Sequence, residues 1–523
     1  MKMRDRRRLA ALLAAGLLCL GLTACSVKIH VDIPMEEASV ETETPEGEAS
    51  VETEASEEET TEGETSAEEE APSETPEAET GPGVLPVVYD PRPDRIQPVR
   101  YQYWGTCWAM SGISTLETCL IRQGLADSSV DLSEEDVLWW ANTSPSGGWK
   151  KLSREDGGYA AGLTGYLETV GARLESDIPY LGEPEDKENP LTEYFGEGEN
   201  QRPENYDTAP VVYDVTGLLF FDEPSEEDVK RAILNYGAVT ASYREIPDEY
   251  VNYETASCWC PVLGPEYGGT HSISIVGWDD TYPKENFLEI NGQVPGRDGA
   301  WLIKNSFGMD YGSDGGYIHV SYDDGYLLHA EVENHNWLYT VNAARPHEPL
   351  KRYAHDEFGA VGVWNPGMGE SCTWAVCYDF GRGEKLRELR FASWSGNASY
   401  ALFYAPVIDG VPSADSGSWS LLAEGASEYS GYITAEADPA FVLPEGRGAI
   451  VLTLNAENPG IGTDENFFQG TKTLFNTAVN EGDSFLLQDG VFVQAEREKT
   501  MNDHVYSDKV DVCIRAYTSG ESE

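Results

Sequence analysis

Basic residues are scarce in this chain: 35 lysines and arginines stand against 92 aspartates and glutamates, a formal charge of −57. A surface of that sign repels a phosphate backbone, which excludes nucleic acid as a partner. No apolar run reaches the roughly 20 residues of a membrane-spanning helix; the run Leu9 to Leu22 stops at 14. Histidine is rare, with 8 in 523 residues, and no His and Cys set has zinc-ligand spacing, so neither metal nor cofactor is expected. Nine cysteines are too few for a disulfide scaffold, and a chain of this length buries a core without staples. From Glu36 to Glu79 there is no Lys, Arg or Asp, only nineteen glutamates among small residues, with Val-Glu-Thr-Glu repeated at Val40 and Val51. Such a segment forms no core and reads as a solvated spacer. The remainder, with most of the 13 Trp, 28 Tyr and 15 Phe, is rich enough to be globular.

The first residues carry Lys2, Arg4, Arg6, Arg7 and Arg8 before the apolar run, a secretory signal pattern. The run closes on Leu22-Thr23-Ala24-Cys25, which resembles the bacterial lipoprotein cleavage box. That resemblance implies a signal peptide over 1–24 and a diacylglyceryl group on Cys25. It also implies a protein secreted and lipid-anchored to the outer face of a bacterial membrane. Residues 25–83 would then be a stalk, spanning roughly 40 Å as a flexible coil.

Three segments carry chemistry. After Cys107 the apolar residues Trp108, Met110, Ile113, Leu116 and Leu120 follow helical spacing up to Gly124, which puts Cys107 at a helix N-terminus. There the helix dipole favours an anion and the thiol becomes a better nucleophile. Alternation from Ser272 to Val276 predicts a strand with His271 at its start, and 299–305 predicts a second, ending at Asn305. Tyr317 to Ser321 reads as a strand that returns beside it.

Cys107, His271 and Asn305, in that order, resemble the Cys-His-Asn set of the papain-like cysteine peptidases. Gly105-Thr-Cys107-Trp-Ala is similar to the nucleophile motif, Lys304-Asn305-Ser306-Phe307-Gly308 to the Asn-Ser-Trp-Gly box, and Asp156-Gly157-Gly158 to the substrate-binding glycine pair. Asp131-Leu-Ser-Glu-Glu resembles the helix start that follows, and Leu234-Asn-Tyr-Gly237-Ala-Val the later strand start. The likeness is greatest to a bacterial secreted branch. It implies a Cys107 thiolate that attacks a peptide carbonyl, a His271 imidazolium that protonates the departing amine, and an Asn305 that orients the imidazole. Phe307 stands where the family keeps tryptophan; it shields the Asn-His bond and, with Gly157 and Gly158, is a candidate substrate-binding residue. Gln102 and the Cys107 N–H would form the oxyanion hole. Gln102 lies five residues before the cysteine instead of six, a shortening that the Tyr103-Trp104 turn is expected to absorb. No papain-type inhibitory segment with a helical apolar pattern is read before Val84.

Beyond Pro346 short apolar runs alternate with turn residues: Leu386 to Phe391, Tyr400 to Val407, Ala449 to Leu454, Ser484 to Leu487, Val491 to Gln494 and Val512 to Tyr517, with Gln488-Asp489-Gly490 as a hairpin turn. This predicts an antiparallel β-sandwich, which resembles the lectin-like domain of the same branch and implies a glycan as a partner. The fold class is thus α+β: a two-subdomain peptidase at 84–345, one half helical and one half β-barrel-like, followed by an all-β sandwich at 346–523. Cys119, Cys258, Cys260, Cys372, Cys377 and Cys513 have disulfide or packing roles that spacing does not resolve. The function expected is peptide-bond hydrolysis, with protein or peptide substrates. The competing readings are a catalytically weakened adhesin and a cross-linking acyltransferase, which would more often use Asp in the place of Asn305.

Overall fold

The computed structural model describes residues 84–92, 96–143, 157–181, 203, 205–261, 269–329, 337–465, 467–469, 472–475, 479–501 and 504–520. The leader, Cys25, the acidic stalk and Asp156 lie outside the described residues. The predicted helix runs Cys107–Arg122 and is buried along nearly its whole length, from Cys107 to Leu120. A helix hidden on all sides must neutralise its one carboxylate. Glu117 does so by accepting from Arg100 at 2.5 Å and from the Leu132 amide at 2.8 Å. Helices Glu134–Thr143 and Ala160–Thr169 pack beside it, and together they form the helical half.

The second half is an antiparallel sheet, its strands running Val239–Arg244, Thr270–Asp279, Ala300–Lys304 and Tyr317–Ser321 in that spatial order. The predicted return of Tyr317–Ser321 is present, with Lys304 opposite Tyr317. Helix Glu226–Tyr236 starts on a Ser225 and Asp228 capping box and stops at Gly237, whose φ is 107°. A side chain there would come within 2.9 Å of the Thr118 carbonyl, so glycine alone lets this helix end dock on the Cys107 helix.

The C-terminal part is the predicted sandwich. Ala398–Ile408, Gly446–Asn455, Ser371–Phe380, Ser484–Gln488 and Val491–Gln494 lie side by side in one sheet. Asp489 and Gly490 take φ of 51° and 80°, the two left-handed residues that a two-residue hairpin requires. Its other layer is part of the peptidase sheet. Ser430–Glu436 pairs with Tyr213–Phe221, Tyr432 opposite Leu218, so one 15-stranded sheet runs through both parts. Phe358, Ala360, Val361, Tyr432 and Cys513 share a core with Trp108, Ile113, Trp140 and Tyr166. Buried charges cross the same boundary: the Glu168 carboxylate lies 3.6 Å from Arg390 and 4.0 Å from Arg515, which also pairs with Asp356 at 2.6 Å. The seven described cysteines are buried free thiols, with no disulfide among the described residues. Cys258 packs with Ile318 and Val320.

Candidate active site

Cys107 is the first residue of its helix, 5% exposed. No side chain caps that helix end and its first turn carries no acid, so no neighbouring charge of the helix opposes a thiolate there. His271, the second residue of its strand, has no exposed surface. Its Nε2 lies 2.8 Å from Asn305 Oδ1, which also accepts from the Ser306 amide at 2.8 Å. Two acceptor contacts on one oxygen fix the carboxamide with Oδ1 toward the imidazole. Nδ1 makes no well-aligned hydrogen bond, so this nitrogen is left for the sulfur.

Aromatic rings enclose the imidazole. Phe307 stacks on it at 4.5 Å and 21°, and Tyr243, opposite His271 in the strand register, meets it edge-on at 5.7 Å. Burial alone would push this imidazole down. The Cys107 thiol beside it, then the charge of Glu245 and the Asn305 hydrogen bond, hold it above the ordinary histidine value instead. Burial pushes the other described thiols up: Cys119, Cys260, Cys372 and Cys377 to about 12, with Cys258 and Cys513 also raised.

Gln102 is buried beside this centre. Its backbone N–H donates to the Ser306 carbonyl at 2.8 Å, and its Oε1 accepts from Ser306 Oγ at 2.5 Å. Its Nε2 donates to the Trp104 carbonyl at 2.8 Å, which also accepts from the Thr106 amide. The short segment before Cys107 is therefore closed by the glutamine side chain itself, with one of the two Nε2 hydrogens left over. Gly157 takes φ of 78° with open space where a side chain would start. A Cβ on Gly158 would come within 2.2 Å of the Trp108 indole, next to Cys107.

Three contacts of this centre carried no sequence signal. Tyr243 reaches His271 only through strand register. Ser306, inside a quoted motif, had no role until it locked Gln102. Ser111 Oγ lies 2.8 Å from Ser272 Oγ and ties the Cys107 helix to the His271 strand, a pair 161 residues apart.

Residues 85–336 match the model of the papain family cysteine proteases, and residues 352–518 that of the lectin like domain. The cysteine protease and lectin-like domains of Cwp84, a surface layer associated protein of Clostridium difficile, are 30% identical with a TM-score of 0.69, covering 83% of this chain and 89% of that one. The clostridial Cwp84 protease after propeptide cleavage gives the same identity and TM-score, with 83% of this chain and 100% of that chain covered. The viral cathepsin of Heliothis zea nuclear polyhedrosis virus is 23% identical over 237 residues, 44% of this chain and 51% of the relative. The chain thus spans about half the length of that curated relative. With both family models matched in order and a 30% identical relative covered from end to end, this chain belongs to the papain family of cysteine proteases, in the form that carries a lectin-like domain behind the protease.

Proposed function

We propose that this protein is an extracellular endopeptidase, anchored through a lipid on Cys25, that cleaves peptide bonds with a Cys107 and His271 ion pair oriented by Asn305. The observation that carries the reading is the buried imidazole of His271, bonded on one side to Asn305 at 2.8 Å, roofed by Phe307, and raised by the thiol of Cys107. In this mechanism the Cys107 thiolate attacks the carbonyl carbon and the oxygen takes up the negative charge. The Cys107 N–H and the remaining Gln102 Nε2 hydrogen stabilise that oxygen. His271 gives its proton to the departing amine and leaves an acyl thioester. It then takes a proton from water, whose oxygen attacks the thioester and frees the acid. Asn305, being neutral, orients the imidazole without competing with the thiolate for its charge. Gly157 and Gly158 let an extended substrate backbone approach. A cell-surface location is supported by the surface-layer association of Cwp84 and by the signal and lipoprotein pattern. A glycan held by the lectin-like part would keep the protease near its substrates.

Iodoacetamide tests the site. At pH 7 Cys107 is expected to alkylate at least about a hundredfold faster than the other thiols, which burial keeps protonated. Equal, slow labelling of all thiols, read by peptide mass mapping, would instead favour the adhesin. A second expected outcome concerns the glycine pair: Gly158→Ala pushes the Trp108 ring off its seat and displaces Cys107 with it. We expect a loss of roughly tenfold to a hundredfold in kcat/KM on a peptide substrate, with a thermal transition retained.

A further inference from the structure

A cavity of about 10 Å³ lies where the three elements that carry Cys107, His271 and Asn305 meet. The Cys107 helix contributes Ser111 and Ser114 to its lining, the His271 strand contributes Ser272, and Lys304 and Asn305 complete that side. Arg100, Glu134, Met110, Ile273 and Ser306 line the remainder. The volume is about that of one water molecule.

Two of the polar atoms around it lack protein partners. Asn305 Nδ2 and Ser114 Oγ are buried with no hydrogen bond. Lys304 is 5% exposed, yet no carboxylate among the described residues pairs with its ammonium. The nearby acids Glu117, Asp131 and Glu134 are each committed to Arg100 at 2.5 Å. An amide hydrogen, a hydroxyl and an ammonium around a one-water volume are the partners a buried water takes, and costly to leave unmatched.

We propose that this cavity binds one structural water, which accepts from Asn305 Nδ2 and Lys304 Nζ, donates to Ser114 Oγ, and so reinforces from the Nδ2 side the hold that the Ser306 amide has on the Asn305 oxygen. The inference rests on the reading of Asn305 as the partner that orients His271. The two ends of a carboxamide are nearly equal in size, so its orientation is set by what each end can bond. With the water in place, Nδ2 has an acceptor and Oδ1 stays on the imidazolium. A flipped amide would aim donors at both the imidazolium and the Ser306 N–H, and would leave the water facing an oxygen beside Lys304. Ser114 and Lys304 are positioning residues in this scheme. The charged groups around the cavity are Arg100, Lys304, Glu117, Asp131 and Glu134, and those around the imidazole are Cys107 and Glu245. Burial holds Lys304 down to about 8 and Glu134 up to about 7, so the charge around the water changes across the neutral range.

Two measurements on the full chain decide it. A crystal structure is expected to show ordered density within hydrogen-bond distance of both Asn305 Nδ2 and Ser114 Oγ; a dry cavity overturns the proposal whatever the activity. Ser114→Val fills the cavity and Lys304→Met removes the ammonium. In each, the upper pH limb of kcat/KM is expected to move down by about one unit, because the Asn305 oxygen is then held on the imidazolium by the Ser306 amide alone, a roughly tenfold effect. A folded variant of either kind, checked by its thermal transition, with an unmoved limb overturns the positioning role. Failure of Cys107 to alkylate selectively in the unmodified protein would instead count against the peptidase reading, while the density still decides the water.

Discussion

His271→Ala lowers peptide hydrolysis by roughly a thousandfold or more at neutral pH and abolishes the selective alkylation of Cys107. In the proposed mechanism the imidazole supplies both the counter-charge of the thiolate and the proton for the leaving amine, and either loss alone is worth about 10²- to 10⁴-fold. Because the two groups act as a unit, Cys107→Ala and the double variant should be no worse than about the same floor. The pH profile carries the sign. The folded imidazole is raised, so it keeps its proton above the ordinary histidine range. Activity is therefore retained through neutrality and lost as pH rises through the folded value. The stability that the ion pair contributes follows the same direction: it is complete below the unfolded histidine value and disappears as pH rises through the raised one. A kcat/KM profile that already collapses near pH 6 would overturn the ion pair as described.

The second large effect lies between the two parts of the chain. Removing residues 346–523 is expected to leave a protease that does not fold to a soluble monomer. The deletion bares strand Tyr213–Phe221 along the edge where Ser430–Glu436 had paired. It also strips Phe358 from Trp140, with ring centroids 5.9 Å apart, and Tyr432 from Phe220, 5.8 Å apart. Burial pushes the Glu168 carboxyl up while Arg390 and Arg515 hold it down, and both arginines leave with the deletion. A single substitution tests the same boundary. Arg515→Met leaves Asp356 and Glu168 buried with too little positive charge, a cost of about 3–5 kcal/mol. Calorimetry should show a melting point lower by roughly 3–6 °C. A truncated protease that stays folded and active would show that the lectin-like part is an appended binder. Its large aromatics argue for a structural share: Trp374, Tyr378 and Phe391 are all buried in the sandwich core.

Much of the local structure was legible from residue order. The spacing after Cys107 marked the helix, the alternation around Ser272 the strand, and Asp489-Gly490 the hairpin, because each depends on neighbours within a few residues. The motifs around Cys107, His271 and Asn305 named the groups that matter. What the order of residues could not carry was everything made between distant segments. Nothing near Glu117 in the chain marks the Arg100 guanidinium that it meets. Tyr243 and Ser111 entered the site through strand register and helix docking, and the sheet that joins protease to sandwich pairs residues about 210 apart. The sequence by itself determined which elements form and which side chains are candidates for the chemistry, since backbone periodicity and chemical type are local properties. Only the tertiary structure decided which buried charges meet and that two successive domains share one sheet, because burial and pairing are settled by partners that leave no period in the chain.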